Sequence, residues 1–171
     1  GFDLGAQPWS FMGTATWFVS HGHLDHIAAI PVYVARRRMM KMDPPTIYLP
    51  ESLIGPVKQI FQQFTQMDRG RLPCDLVAAS PGDEIELSRE HVVTVVETKH
   101  SVPSLGFIVW ERRKKLKSQY QSLTGEEIRS LRLAGQDVSE EKRRPLLAYL
   151  GDSAPEGLDH SPEMFESEVL I

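Results

Sequence analysis

An H-x-H-x-D-H motif at residues 21–26 constrains the fold and chemistry of this chain more than any other feature of its sequence. It follows residues 14–20, a short segment rich in β-branched and aromatic residues that predicts a strand. Alternate side chains of an extended chain point to the same side, so His21 and His23 can face one metal ion. The motif therefore predicts a metal site at the end of a strand.

The last two polar residues of the motif, Asp25 and His26, lie at the turn into a helix and can face a second ion. Four such side chains would be costly to bury without a cation, because each would need its own hydrogen-bond partners. Imidazole together with carboxylate suits Zn²⁺, with Mn²⁺ or Fe²⁺ as alternatives. A solvated loop with chance histidines is the competing interpretation, but three of the six histidines fall within this motif.

Two further candidate ligands follow predicted strands elsewhere in the chain. His100 comes after a strand predicted at 91–98, and Asp152 after one predicted at 146–150. Alone, each would be more typical of a turn residue. Combined with the histidine motif, they become candidate metal ligands.

The order of predicted elements indicates a layered α/β fold. The first half alternates between strands and helices, and the middle of the chain contains mainly strands. Helices are predicted at 26–40 and 51–67, and strands at 46–49, 76–78, 84–87, 91–98, 106–110 and 146–150. Residues 168–171 also resemble a strand, one that stops in mid-course.

Composition excludes several classes of protein. With 41% hydrophobic and 25% charged residues, the chain has an ordinary globular composition. Its longest apolar run, near 27–35, contains Pro31 and is far shorter than the roughly 20 residues of a membrane-spanning helix. Cys74 has no partner for a disulfide, and no signal-peptide pattern is present, so we expect a cytoplasmic or organellar protein. Gly-rich phosphate loops and a thiol-nucleophile pattern are also missing from the sequence.

Charge is segregated along the chain. Although the formal net charge is −4, residues 112–144 hold 10 of the 19 basic residues. We interpret 111–145 as a charged inserted arm of a single domain, with one short helix that Thr124 and Glu127 cap. A solvated run of charge is the competing interpretation, but a positive arm can also hold a polyanion such as RNA through its phosphates. The candidate RNA-binding residues are Arg112, Arg113, Lys114, Lys115 and Lys117.

The combined motifs resemble the metallo-β-lactamase superfamily of dinuclear hydrolases, and within it the short form of ribonuclease Z. The similar segments are 20–36, 44–47, 100–106 and 123–128, besides the Gly-Asp-Ser at 151–153. The resemblance implies an αββα sandwich, here apparently incomplete at both ends. It also implies a zinc-dependent endoribonuclease that removes the 3′ trailer from precursor tRNA, and a homodimer.

The resemblance also implies a role for each candidate residue. His21, His23 and His100 would hold one zinc ion, Asp25 and His26 the other, and Asp152 would bridge both. Asp25 and His26 are the catalytic candidates, with Asp25 orienting a metal-bound hydroxide that attacks the phosphodiester. The family's further metal-binding histidine and its histidine–glutamate pair would lie beyond Ile171. His91 and His160 do not match those positions and are interpreted as a strand residue and a surface turn residue.

Two other functions remain open on the sequence. The same fold and metals could hydrolyse a small ester, lactone or cyclic phosphodiester, because a fold and metal site do not fix the substrate. Alternatively, the chain could be a non-catalytic fragment that binds RNA or a partner. The basic arm favours RNA over a small substrate, and a zinc assay would test the non-catalytic alternative.

Overall fold

The computed structural model describes residues 1–6, 9–159 and 161–171. The predicted turn position of His160 lies outside the described residues. Two β-sheets pack face to face, and helices cover the outer side of the first sheet. The predicted α/β class is therefore confirmed.

The first sheet contains three parallel strands in the order β1-β2-β3. Helical crossovers connect them, as parallel neighbours require. The strands are β1 (Thr16–Phe18), β2 (Thr46–Pro50) and β3 (Asp75–Ala79), and the helices are α1 (Leu24–Ile27), α2 (Ile30–Met39) and α3 (Glu51–Asp68). The predicted helix at 26–40 is thus two helices separated by Ala28 and Ala29, with Pro31 in the first turn of the second, where a missing N–H costs nothing.

The second sheet contains five strands in the order β4-β5-β6-β7-β8. The pairs are antiparallel except β7 with β8, which is parallel. The strands are β4 (Glu84–Glu86), β5 (His91–Glu97), β6 (Leu105–Leu116), β7 (Ser139–Tyr149) and β8 (Val169–Leu170).

Three apolar clusters hold these layers together. The first lies between the helices and the first sheet and includes Tyr33, Ile47 and Phe61. The second lies between the two sheets, where Phe18 packs against Phe107. The third lies on the outer face of the second sheet, where the described cover is two 3-10 segments at Pro155–Leu158 and Pro162–Glu166. None of the helices in the described part of the chain has the length and apolar character that a membrane crossing requires.

The segment at 111–145 extends the second sheet. Its two ends form the distal halves of β6 and β7, which continue as a two-stranded ribbon beyond the predicted strands. Helix α4 (Gly125–Leu133) lies at the tip, and the predicted capping box is present, with Thr124 and Glu127 bonded reciprocally. The arm therefore contains a two-stranded ribbon at its base and a helix at its tip.

Candidate metal centre

Three imidazoles converge at one end of the sandwich. The chain leaves β1 in an extended conformation and places the fully buried His21 beside His23. His21 Nε2 lies 3.0 Å from His23 Nδ1, and His100 Nε2 lies 3.2 Å from the same atom. The loop after β5 thus brings His100 to the motif across 77 positions of sequence.

Asp152 joins this cluster from the loop after β7. Its carboxylate and the ring nitrogens of His21, His23 and His100 supply four atoms within 4.8 Å of one another. Asp152 also belongs to a second group with Asp25 and His26, because His26 Nε2 lies 3.5 Å from a carboxylate oxygen of each acid. The two groups therefore share Asp152.

Asp3, which the sequence analysis missed, contacts His26 directly and His21 through Ser20, and so orients a residue of each group. Its Oδ1 accepts a hydrogen bond from the backbone N–H of Ser20 at 2.7 Å. Its Oδ2 accepts from the hydroxyls of Ser20 at 2.8 Å and Tyr149 at 2.6 Å, and lies 2.6 Å from His26 Nδ1. An acid between the apolar Phe2 and Leu4 was the available signal, because an acid placed in an apolar segment tends to enter the core with partners.

These bonds determine which nitrogen of two imidazoles carries the proton. The Ser20 hydroxyl has one proton and gives it to Asp3, so it accepts the hydrogen bond from His21 Nδ1–H, 2.9 Å away. His26 Nδ1–H donates to Asp3 in the same way. The Nε2 lone pairs of both rings then face the ligand groups, as hydrogen-bonded metal ligands require.

The pKa values of the two rings differ for physical reasons. Burial lowers the pKa of His21, and the neighbouring imidazoles lower it further, so the ring is neutral and can coordinate a cation. Burial also opposes charge on His26, but the hydrogen bond with Asp3 and the charges of the nearby acids raise its pKa overall. His26 is therefore the more basic ring.

Backbone contacts hold the motif in place. Leu105 N–H donates to Ser20 O at 2.9 Å, which ties the second sheet to the end of β1. Leu4 N–H donates to His26 O at 2.7 Å and Leu4 O accepts from Ala29 N–H. A Cβ at Gly5 would overlap the backbone carbonyl of Asp25, so only glycine allows this close approach.

The donor set fits a divalent cation. Ligands at about 2.0 Å in a tetrahedral arrangement are separated by roughly 3.3 Å, close to the 3.0 and 3.2 Å between the imidazole nitrogens. Imidazole lone pairs directed at one another repel unless a proton or a cation lies between them. Three imidazoles with one carboxylate suit Zn²⁺ better than Mg²⁺ or Ca²⁺, which prefer oxygen ligands.

The candidate RNA-binding residues lie far from this centre. β6 begins beside Ser20 and runs away from it, so its 12 residues place Leu116 about 36 Å from Leu105. Arg112, Arg113, Lys114 and Lys115 lie on the distal half of β6. Lys117 follows the strand, where its Nζ donates to Asp137 O at 2.7 Å. His91 is the first residue of β5, as predicted.

Comparisons with known proteins identify relatives over most of the chain. It is 38% identical over 138 residues to a nuclear ribonuclease Z of Triticum aestivum, covering 81% of this chain and 78% of that protein. It is 34% identical over 172 residues to the tRNase Z TRZ1 of Arabidopsis thaliana, covering 99% of this chain and 61% of the relative. No family model matches the sequence.

Solved structures of similar fold are more distant in sequence. Human tRNase Z, short form, aligns with a TM-score of 0.59 at 17% identity, covering 99% of this chain and 64% of that one. The metallo-β-lactamase fold protein YhfI from Bacillus subtilis aligns with a TM-score of 0.53 at 18% identity, covering 89% and 49%. The fold is thus that of the metallo-β-lactamases, and the identity to the wheat protein over most of both chains shows that this chain belongs to the ribonuclease Z family.

Proposed function

We propose that this chain carries the metal centre of a zinc-dependent endoribonuclease that removes the 3′ trailer from precursor tRNA. The observation that carries the proposal is the convergence of His21, His23 and His100 on Asp152, which also lies in the group with His26. The relatives' names, tRNase Z and ribonuclease Z, support a ribonuclease that acts on tRNA, and the chain spans only 61% of the Arabidopsis relative.

In this proposal each group of residues holds one cation. His21, His23 and His100 hold the first, Asp25 and His26 hold the second, and Asp152 lies between them. Two bound divalent cations would polarise the scissile phosphate and supply a hydroxide at neutral pH. The hydrogen bonds of the Nδ1 atoms of His21 and His26 hold the two rings so that Nε2 of each is directed at the ligand groups.

Asp25 lies where its carboxylate could accept a hydrogen bond from the attacking water molecule. Its side chain is 77% exposed, and one carboxylate oxygen lies 3.5 Å from His26 Nε2. A water molecule at the mouth of the site can donate a hydrogen bond to the other oxygen, which would orient it toward the phosphorus atom. His26 is held on both sides by carboxylates, so its proposed role is that of a ligand with a fixed ring.

The position of the arm favours an RNA substrate over a small-molecule substrate. Its basic residues on β6, Arg112 to Lys115, lie about 23 to 33 Å along the strand from Leu105. Because Leu105 is bonded to Ser20 beside the metal centre, a small ester, lactone or cyclic phosphodiester is too short to reach both places. A polyanion of that length can contact both places, and phosphate contacts would provide affinity and register. We include the arm at 111–145 in the proposal as an RNA-holding part of a single domain.

The proposal also includes a homodimer and a cytoplasmic or organellar location. An apolar groove of about 310 Å³ between α1, α2 and α3 supports self-association, because Leu24, Ile60 and Phe64 are exposed there. Sedimentation of the intact protein and of Phe64→Ser would test it. The names of two relatives include the words nuclear and chloroplastic.

Cleavage of a precursor tRNA tests the function directly. The metal-loaded protein should release a tRNA with a 3′-hydroxyl and a trailer with a 5′-phosphate, and chelation should abolish cleavage. Asp152→Asn should lose cleavage, whereas Asp159→Asn, which changes an exposed acid from the same segment, should retain it. Metal-loaded protein that hydrolyses small phosphodiesters but leaves precursor tRNA intact would favour the small-molecule alternative. Well-folded protein that binds no metal would favour the non-catalytic one.

A further inference from the structure

His100 and Asp152 reach the candidate metal centre from two strands that are not neighbours. β5 and β7 lie on either side of β6, so their backbones are about 10 Å apart. The pairing of these strands with β6 ends at Glu97 and Tyr149, and each candidate ligand follows three residues later. The sheet therefore does not fix the separation of the two ligands, and contacts between the two loops are needed to hold it.

The backbone of Lys99 makes such contacts with the loop after β7. Its N–H donates to Ser153 Oγ at 3.2 Å, and its carbonyl accepts from Ala154 N–H at 2.7 Å. Among the residues that the structure describes, these are the two hydrogen bonds that join the loops, and we call them the loop bridge. His100 directly follows Lys99 and Asp152 directly precedes Ser153. The loop bridge therefore ends beside a candidate ligand on each side.

Ser153 contributes the one side chain of the loop bridge. Its hydroxyl gives its proton to the carbonyl of Ala154 at 2.9 Å and uses a lone pair to accept from Lys99 N–H. The buried Gly157 packs against this hydroxyl. A Cβ at Gly157 would overlap Ser153 Oγ and lie 2.9 Å from Lys99 N, so a side chain there would displace the hydroxyl.

We propose that Ser153 is a positioning residue of the metal centre. Its hydroxyl holds the loop of His100 against the loop of Asp152, so both ligands are placed for a cation before one binds. Ligands that are already in place lose less conformational freedom on binding, which makes binding tighter. The role rests on the proposed function, because it assumes that His100 and Asp152 bind metal.

Ser101 provides a matched control for Ser153. It is exposed, directly follows His100 and makes none of the described hydrogen bonds. Ser153→Ala and Ser101→Ala therefore each remove a hydroxyl beside a candidate ligand, but only the first breaks the loop bridge. The zinc affinity of the intact, metal-free proteins is measured by competition with a chromophoric chelator. Thermal unfolding of the same metal-free proteins measures stability separately.

Ser153→Ala should bind zinc about 10-fold more weakly than the parent, whereas Ser101→Ala should bind it like the parent. Ser153→Thr keeps the hydroxyl and should restore most of the affinity. Amide hydrogen exchange of the metal-free proteins gives a second measurement that needs no cation. The N–H of Lys99 should exchange faster in Ser153→Ala and at the parental rate in Ser101→Ala.

Gly157→Ala tests the loop bridge without changing Ser153. Its Cβ should displace the hydroxyl, so the zinc affinity should fall about as far as in Ser153→Ala. Combining the two substitutions should cause little further loss, because both break the same hydrogen bond. Gly125→Ala is the control, since a Cβ there would have no neighbour within 4 Å, and it should bind zinc like the parent.

Parental zinc affinity in Ser153→Ala, equal losses in the two serine variants, or no recovery in Ser153→Thr would overturn the positioning role. A lower unfolding temperature of Ser153→Ala with unchanged zinc affinity would also overturn it, because the loop bridge would then stabilise only the fold. Failure of the proposed function looks different. A parent that binds zinc but leaves precursor tRNA intact would disprove the endonuclease alone, and a parent that binds no zinc would disprove both.

Discussion

The carboxylate of Asp3 lies 2.6 Å from Nδ1 of His26, and this contact connects the start of the chain to the candidate metal centre. Asp3 adopts a left-handed backbone conformation with φ of 48°, which aspartate tolerates better than most residues. The same carboxylate accepts a hydrogen bond from the Ser20 hydroxyl, which in turn accepts one from Nδ1–H of His21. One acid therefore orients a ligand of each of the two groups.

Asp3→Asn should lower metal affinity by about 10- to 100-fold. Both oxygens of the Asp3 carboxylate accept hydrogen bonds, but an asparagine amide has only one acceptor oxygen. Its NH₂ group would replace the other oxygen and could not accept a hydrogen bond there. The affinity can be measured by competition between the protein and a chromophoric zinc chelator. The cleavage rate at saturating metal should fall less, since the ligands themselves remain.

Tyr149→Phe is the graded control for that substitution. It removes one of the hydrogen bonds that Asp3 Oδ2 accepts and keeps the ring that stacks on Phe2. Its metal affinity should lie between those of the parent and Asp3→Asn. If Asp3→Asn bound zinc as tightly as the parent, the carboxylate would be a local structural group without influence on the ligands.

His100→Ala should reduce the zinc content of the purified protein by about one ion per chain. His91→Ala is its matched control, because His91 begins the strand that His100 follows, and among the described hydrogen bonds its side chain contacts only Ser88. Plasma emission spectrometry after dialysis gives the metal content of both. Equal zinc in the two variants would remove His100 from the ligand set.

Much of the fold could be predicted because strands and helices here follow simple local patterns. The strand at 46–49 and the helix at 51–67 each agree with the structure to within one residue, and the capping box of Thr124 and Glu127 has the predicted bonds. Periodicity did not show that β6 continues to Leu116. Its outer half is stabilised by cross-strand pairs with β7, and those residues alternate in neither size nor polarity.

The candidate site was predictable where its residues are close in sequence or end a strand. His21 to His26 form a continuous motif, and His100 and Asp152 each follow a strand of the second sheet. Asp3 was missed because nothing in its own segment indicates that its partners are Ser20, His26 and a tyrosine 146 positions later. The charge of the arm was visible in the sequence, but which of its residues lie opposite one another depends on the strand register.

Arg37→Met should destabilise the protein by about 2 to 4 kcal/mol. Arg37 is 3% exposed and donates hydrogen bonds to three backbone carbonyls, those of Met12, Thr14 and Asp43. Methionine would fill much of the volume but donate none of these hydrogen bonds, so the carbonyl of Asp43 would lose both guanidinium donors. Urea unfolding measures the change in the free energy of unfolding.

Lys58→Met is the control for Arg37→Met, because it makes a similar change of chemistry at an exposed position of α3. Its free energy of unfolding should differ from that of the parent by less than about 0.5 kcal/mol. A similar small effect at Arg37 would mean that water replaces the guanidinium at the three carbonyls.

Cys74 should react with iodoacetamide far more slowly in the native protein than in denaturant. Burial, with a contribution from the charge of Asp75, raises the pKa of its thiol to about 12. An unfolded thiol has a pKa near 9, so at pH 8 the native thiolate fraction is lower by about a thousandfold. The raised pKa also means that the protonated thiol favours the folded state: this contribution is fully present below pH 9 and is lost as the pH rises toward 12. Mass spectrometry of the alkylated protein gives both rates, and Cys74→Ser, which should take up no label, verifies the modified residue. Equal rates with and without denaturant would show that the thiol is accessible to solvent in the native state.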